Sequence, residues 1–287
     1  MTASDPASDP LAAVRLDLRR VLGDIDDVVD TVEKSLQIYL DRAARVIKRR
    51  SMGFPSDRGT WVRIECRGLE RLDGQGWGLE TAAFALPGIP IPRWYAGISW
   101  HDQDRRVMWR ADETQLIEQK PIGRAAYATA LPDSWWDKLD TALDKLATTN
   151  TTRLATPDLA PISHRRVHAA IADVFPEAAA TIEEWTTAHA DLNWANIPGG
   201  QLWILDWEDW GRAPRGLDAA NLWFSSLAAP GLAETVLKHR RSDLESPTGR
   251  TMRLLKCAEL LAWADAGEPL YSPAKQAAQQ LLDAAAA

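Results

Sequence analysis

The stretch His189-Ala190-Asp191-Leu192-Asn193-Trp194-Ala195-Asn196 decides the reading of this chain. Ten residues after that asparagine comes Asp206, within Leu205-Asp206-Trp207-Glu208, and then Gly211-Arg212-Ala213-Pro214-Arg215-Gly216-Leu217-Asp218. Phosphoryl transfer from a nucleotide asks little of a protein. One carboxylate orients and deprotonates the acceptor hydroxyl, and an amide oxygen with a second carboxylate holds Mg²⁺ against the phosphates. Asp191, Asn196 and Asp206 are groups of those three kinds in that order, with Asp206 expected on a short strand around Trp203-Ile204-Leu205.

Residues 189–218 resemble the aminoglycoside phosphotransferase and choline kinase superfamily, the small-molecule branch of the protein-kinase-like fold. That family carries a His-Gly-Asp-Leu-x-x-x-Asn loop, an Ile-Asp-Trp-Glu strand and a Gly-x-Pro-x-x-Asp segment. Here the glycine of the first motif is Ala190, and Asp206-Trp207-Glu208 stands where protein kinases have Asp-Phe-Gly. The close resemblance covers roughly a tenth of the chain, with weaker echoes back to about residue 60. Three motifs in order are more specific than any one of them. The resemblance implies an α+β, two-lobed fold with a small antiparallel-sheet N-lobe over 11–123 and a mainly helical C-lobe over 124–287. Residues 1–10, rich in Ser, Asp, Pro and Ala, read from their composition as a disordered tail. The family likeness also assigns roles. It implies Asp191 as the base, Asn196 and Asp206 as Mg²⁺ ligands, and His189 and Asp218 as supports of the catalytic loop. ATP or GTP would be the donor and a small-molecule hydroxyl the acceptor. Known acceptors include aminoglycosides and other antibiotics, choline, amino alcohols and sugars, so antibiotic resistance is one implied role.

Each residue alone has a plainer reading. Asp191 followed by Asn193 suits a turn, a lone histidine is more often structural, and Asp218 suits the positive end of a helix. Those readings hold one at a time and fail for the set. A nucleotide-binding pseudokinase, used as a regulatory or interaction module, is the alternative from another class. Its support is the lack of a clean Gly-x-Gly-x-x-Gly loop.

The upstream half supplies the nucleotide candidates. Thr60 to Cys66 alternates, with Trp61, Arg63 and Glu65 on one face and Val62, Ile64 and Cys66 on the other. Ala44–Arg50 reads as a partner strand, with a solvated basic helix as the alternative, and Met52–Gly59 is the turn between them and a candidate phosphate cover. By resemblance Arg63 is the cation that meets the phosphates, with Lys48 its rival, and Glu80 is its helix partner. Arginine offers a fixed fork where the family more often has lysine. Arg106–Arg110 and Gln115–Gln119 read as further strands, and Glu118-Gln119-Lys120 resembles the hinge whose backbone bonds to the base. Downstream, helices are expected over Leu11–Leu22, from a Ser134 cap with Leu139, Leu143 and Leu146 inward, over His164–Phe175, and over Gly216–Leu227, Gly231–His239, Arg250–Ala266 and Ala274–Ala286.

Composition agrees with an enzyme of this kind. The 287 residues are 46% hydrophobic, enough for substantial cores. A net charge of −7 argues against general affinity for nucleic acid or anionic membranes. It hints at a cationic substrate, as do the pairs Glu183-Glu184 and Glu208-Asp209, although solvated charge explains these equally well. Two cysteines exclude a disulfide framework or a cysteine zinc cluster and fit a reducing cytoplasm. No apolar run approaches the roughly 20 residues of a membrane helix, and the first residues lack the basic start and apolar core of a secretory signal. Neither oligomeric state nor substrate is legible.

Overall fold

The computed structural model describes residues 25–48, 50–69, 75–123, 131–157 and 160–286. The tail expected over 1–10 and the helix expected over Leu11–Leu22 lie outside them. The chain divides into two compact units, one running to Ala83 and resuming over Pro92–Glu118, the other made of Phe84–Ile91 and Gln119–Ala287.

The first unit is a five-stranded antiparallel sheet of order β1-β2-β3-β5-β4, with β1 Val46–Ile47, β2 Ser51–Pro55, β3 Thr60–Gly68, β4 Trp94–Asp102 and β5 Val107–Gln115. The alternation read in Thr60–Cys66 is borne out: Val62, Ile64 and Cys66 are buried against helix α1 (Asp26–Leu36), together with Met52, Phe54, Val107, Trp109 and Ala111. Helix α1 contributes Val28, Val29 and Val32 at the i, i+1, i+4 spacing of an inward stripe.

Three expectations for this sheet need correction. Met52–Pro55 is strand rather than turn, because Met52 and Phe54 both enter the core. The turn between β2 and β3 occupies only residues 56–59, and Ala44–Arg50 contributes just Val46–Ile47. Gln115–Gln119 is not a strand. Instead β5 runs on from Val107 through Arg110, Asp112, Glu113 and Thr114, all buried, and pairs with the unanticipated β4. Helix α2 (Gly78–Ala85) follows the sheet's central strand and carries Glu80 in its first turn.

The second unit is mainly helical: α3 Asp133–Thr148, α4 His164–Val174, α5 Leu217–Ser225, α6 Pro230–His239, α7 Arg241–Leu244, α8 Pro247–Leu261 and α9 Tyr271–Ala286. Leu139, Leu143 and Leu146 line the buried face of α3 as expected, but the helix begins two residues earlier than a Ser134 cap requires, with Pro132 at its N-cap. Helix α4 is capped by Ser163, whose Oγ accepts from the Arg166 amide at 3.2 Å. The small sheet of this unit pairs β6 (Trp185–Ala188) with β7 (Gly211–Pro214). Trp203–Leu205, expected as a strand, is irregular.

Gly216 opens α5 with φ +83°, and a Cβ there would lie 3.1 Å from the Gly249 Cα and 3.2 Å from the Asp243 carbonyl oxygen. Left-handed backbone costs an alanine about 1–2 kcal/mol. Gly216→Ala is therefore expected to lower unfolding free energy by at least about 1 kcal/mol in a urea titration. An unchanged midpoint would contradict this packing.

Candidate functional site

The catalytic-loop candidates follow β6 directly. His189 is fully buried and Ala190 nearly so, whereas Asp191 is exposed. Asp218, in the first turn of α5, reaches back beneath the loop. Its two carboxylate oxygens accept from the His189 amide at 2.7 Å and the Ala190 amide at 2.8 Å. Asn221, one turn further along α5, donates to the Ala190 carbonyl at 3.1 Å. Burial pushes the Asp218 carboxyl upward, opposed by the two backbone amides that favour the ionised form. Removing Asp218 leaves two buried N–H groups without acceptors, each a penalty of about 1–3 kcal/mol. Asp218→Ala is thus expected to lose about 2–5 kcal/mol of stability, partly offset by relief of the buried charge, and to slow any turnover that depends on Asp191. Denaturation alongside a rate measurement checks both.

The His189 ring is committed to structure. Its Nε2 lies 2.8 Å from the Leu205 carbonyl oxygen, and its Nδ1 lies 3.2 Å from the Asp191 amide nitrogen. The carbonyl only accepts and the amide only donates, so the ring carries its proton on Nε2. The Trp207 indole meets it edge-on, with ring centroids 4.7 Å apart. One histidine thereby ties the loop before Asp191 to the segment before Asp206.

Asp191 is held by two asparagines. Asn196 Nδ2 donates to its backbone oxygen at 2.8 Å and to Oδ2 at 3.0 Å. Asn193 Nδ2 donates to the same backbone oxygen and to Oδ1, both at 3.1 Å. Each carboxylate oxygen retains a further lone pair, so the group is oriented yet still able to accept a proton. Asn193 also caps the 3₁₀ turn Trp194–Asn196.

Asn196 spends its amide nitrogen on Asp191, which turns its amide oxygen away from that carboxylate. Its backbone oxygen accepts from the Leu205 amide at 2.8 Å, bringing the residue before Asp206 against it. Asp206 adopts φ +67°, a backbone state that Asp tolerates better than most residues and that often marks a functional position. Ala190 is also left-handed, at φ +73°, a region that glycine occupies with less strain. The segment after Asp206 is anchored by the buried Arg153, whose Nε donates to the Trp210 carbonyl at 2.7 Å and whose Nη2 donates to that of Glu208 at 3.0 Å.

An amide oxygen and a carboxylate form a hard-oxygen donor set that suits Mg²⁺. That ion is usually bound by one or two protein ligands, with phosphates and waters completing the octahedron. Among the described residues there is no group of three His, Cys, Asp or Glu side chains placed to form an all-protein metal cage. The donor set fits a phosphate-completed ion.

Other sequence candidates are placed as follows. Lys48 is exposed in the β1–β2 turn, and its amide donates to the Ser51 carbonyl at 2.8 Å. Glu118, Gln119 and Lys120 are exposed beyond β5, and the Lys120 carbonyl accepts from the Gly199 amide at 3.2 Å. Arg63 pairs with Glu65 at 2.7 Å on its own strand. Glu80 pairs with Arg110 at 2.9 Å, so the expected Arg63–Glu80 pair is not formed. Of the acidic pairs, Glu184 bonds to Arg215 at 2.8 Å and Asp209 accepts from Thr156 Oγ1 at 3.1 Å. Both cysteine thiols are buried, which pushes each up to about 12 and removes them from reactive chemistry. Asn193, Asn221 and Arg153 were not singled out from the sequence; the spacing of Asn193 two residues after Asp191 is the only local signal among them.

Neither a protein-family model nor a curated protein matches the sequence. Solved structures do. Amicoumacin kinase hAmiN, in complex with AMP-PNP and Ca²⁺, superposes with a TM-score of 0.55 at 11% identity, covering 92% of this chain and 96% of that one. Choline kinase LicA from Streptococcus pneumoniae gives 0.51 at 14% identity, covering 90% and 99%. These likenesses show an α+β, protein-kinase-like fold. Macrolide 2'-phosphotransferase MphH from Brachybacterium faecium is similar to the same degree, with a TM-score of 0.51 at 14% identity over 90% of this chain and 96% of that one. These likenesses run over nearly the whole length of each protein, so they concern the protein-kinase-like fold as a whole and not one motif. Among the described residues no helix is long and apolar enough to cross a membrane.

Proposed function

We propose that the chain is a phosphotransferase that moves the γ-phosphoryl group of ATP onto a hydroxyl of a small molecule. The observation that carries this reading is the exposed Asp191 carboxylate, aimed by Asn193 and Asn196 while keeping capacity to accept a proton. Asp191 takes the acceptor's hydroxyl proton as the oxygen bonds to the γ-phosphorus, while the bond from that phosphorus to the β–γ bridging oxygen breaks and ADP leaves. Asn196 and Asp206 hold Mg²⁺, which when bound neutralises charge on the phosphates. His189, Asp218, Asn221 and Arg153 touch neither substrate nor metal and act by fixing these side chains. Arg63 meets the nucleotide phosphates on the first unit, and the segment Glu118-Gln119-Lys120 offers backbone groups to the base. The AMP-PNP bound to amicoumacin kinase favours an adenine nucleotide as donor.

The acceptor is sought among antibiotics and amino alcohols, the compounds named for the similar structures. Incubation with γ-labelled ATP, Mg²⁺ and a panel of hydroxylated antibiotics, choline and amino alcohols is expected to label one class. A drug-susceptibility screen of cells expressing the protein reads the same answer as resistance. Nucleotide binding with no labelled product from any acceptor, unchanged by Asp206→Asn, would favour a non-catalytic nucleotide-binding module instead.

A further inference from the structure

The face of the first unit's sheet that turns away from α1 is charged. Strands β3 and β5 set Arg63 opposite Asp112 and Glu65 opposite Arg110. Arg110 has a side chain only 5% exposed. It donates to Asp112 through Nε at 3.0 Å and Nη2 at 2.5 Å, and to Glu80 of α2 through Nη2 at 2.9 Å. Trp94 Nε1 braces the same Asp112 oxygen at 2.7 Å. The indole of Trp77, just before α2, lies against the guanidinium groups of Arg110 and Arg67, at 5.6 and 5.1 Å. Even the neighbouring strand is fitted to this side chain. A Cβ at Gly97 would lie 2.2 Å from Arg110 Nη2 and 2.8 Å from Asp112 Oδ1. A buried guanidinium is tolerated only when paired and hydrogen-bonded, and this one reaches α2 through Glu80 and Trp77.

We propose that Arg110 is the positioning residue that docks α2 onto the sheet, and that this separates helix docking from phosphate contact. Glu80 bonds to β5, and Arg63, whose side chain is 24% exposed against 9% for Arg67 and 5% for Arg110, is the guanidinium of this face most open to a nucleotide. One cation need not do both jobs. The division rests on the phosphotransferase reading, because only a nucleotide-using enzyme gives the Arg63 side its purpose; the Arg110–Glu80 dock does not depend on it.

The test compares Arg110→Met, Glu80→Gln, their double variant and Arg63→Met. Hydrogen exchange at the α2 amides is followed together with kcat and nucleotide KM, well below each variant's melting temperature. Losing one charge-assisted hydrogen bond is expected to speed α2 exchange by roughly 10- to 100-fold. Both Arg110→Met and Glu80→Gln should do this, each with a fall in kcat. Arg110→Met should act the more strongly, because it also takes the guanidinium from the buried Asp112 and from Trp77. The double variant should be no worse than Arg110→Met alone, since that change already removes the shared link. Arg63→Met should raise nucleotide KM and leave α2 exchange as in the wild type. If Arg110→Met does not fold, Glu80→Gln carries the comparison, because Glu80 is the more exposed partner. Unchanged α2 exchange in Glu80→Gln overturns the proposal, as does faster exchange with wild-type kcat, or release of α2 by Arg63→Met. A wild type that transfers no phosphoryl group overturns the phosphotransferase reading instead, and the exchange data still decide whether Arg110 holds the helix.

Discussion

Asp191→Ala is expected to slow phosphoryl transfer by about 10²–10⁴-fold, the usual contribution of a positioned general base. Nucleotide affinity should stay near the wild-type value, because the partner proposed for Asp191 is the acceptor hydroxyl. The loop should survive the change. Asn196 and Asn193 both donate to the Asp191 backbone oxygen as well as to its carboxylate, and Asp218 holds the two preceding amides from below. A loss confined to turnover marks an interaction made chiefly in the transition state. Single-turnover measurement with saturating nucleotide and the acceptor identified by labelling reads this directly. Turnover undiminished in the variant would remove Asp191 from the chemistry.

Asp206 should behave differently. If its carboxylate anchors Mg²⁺ against the phosphates, its removal takes away ground-state binding as well as turnover. Metal coordination contributes several kcal/mol, and each ~1.4 kcal/mol is a factor of ten, so magnesium-dependent nucleotide affinity should drop by on the order of 10²-fold or more. The choice of replacement matters. At φ +67° an alanine adds about 1–2 kcal/mol of backbone strain, whereas asparagine tolerates the left-handed region and removes only the charge. Asp206→Asn is therefore the cleaner variant, and Asp206→Ala should match it in binding while being less stable. Asn196→Ala should weaken metal-nucleotide binding too, with a further fall in turnover because Asn196 also aims Asp191.

The local parts of this site were legible in the sequence. Asp191 and Asn196 bond to one another across five residues, and the alternation of Trp61 to Cys66 reports a half-buried strand. The helices of the second unit announced themselves through apolar stripes such as Leu139, Leu143 and Leu146. What escaped depended on partners far along the chain. Strand β5 reads as a polar stretch because Arg110, Asp112 and Glu113 are charged. They are buried because Glu80, Trp94 and Thr60 satisfy them across separations of 30, 18 and 53 residues. The same cause moved the Glu80 partner from Arg63 to Arg110, since both arginines face the same side and only the strand register separates them. Arg153 and Asn221 were silent for this reason as well, one reaching the backbone 55 residues away and the other 31. Met52-Gly53-Phe54-Pro55 misled because glycine and proline suggest a turn, while the buried Met52 and Phe54 decided the strand.

Calorimetry with a non-hydrolysable ATP analogue, with and without Mg²⁺, on the wild type, Asp191→Ala and Asp206→Asn tests the proposed division of roles most directly. Magnesium-dependent binding is expected in the wild type and in Asp191→Ala, and its loss in Asp206→Asn. Binding of the metal-nucleotide by Asp206→Asn as tightly as by the wild type would contradict the assignment of Asp206, and with it the phosphotransferase site.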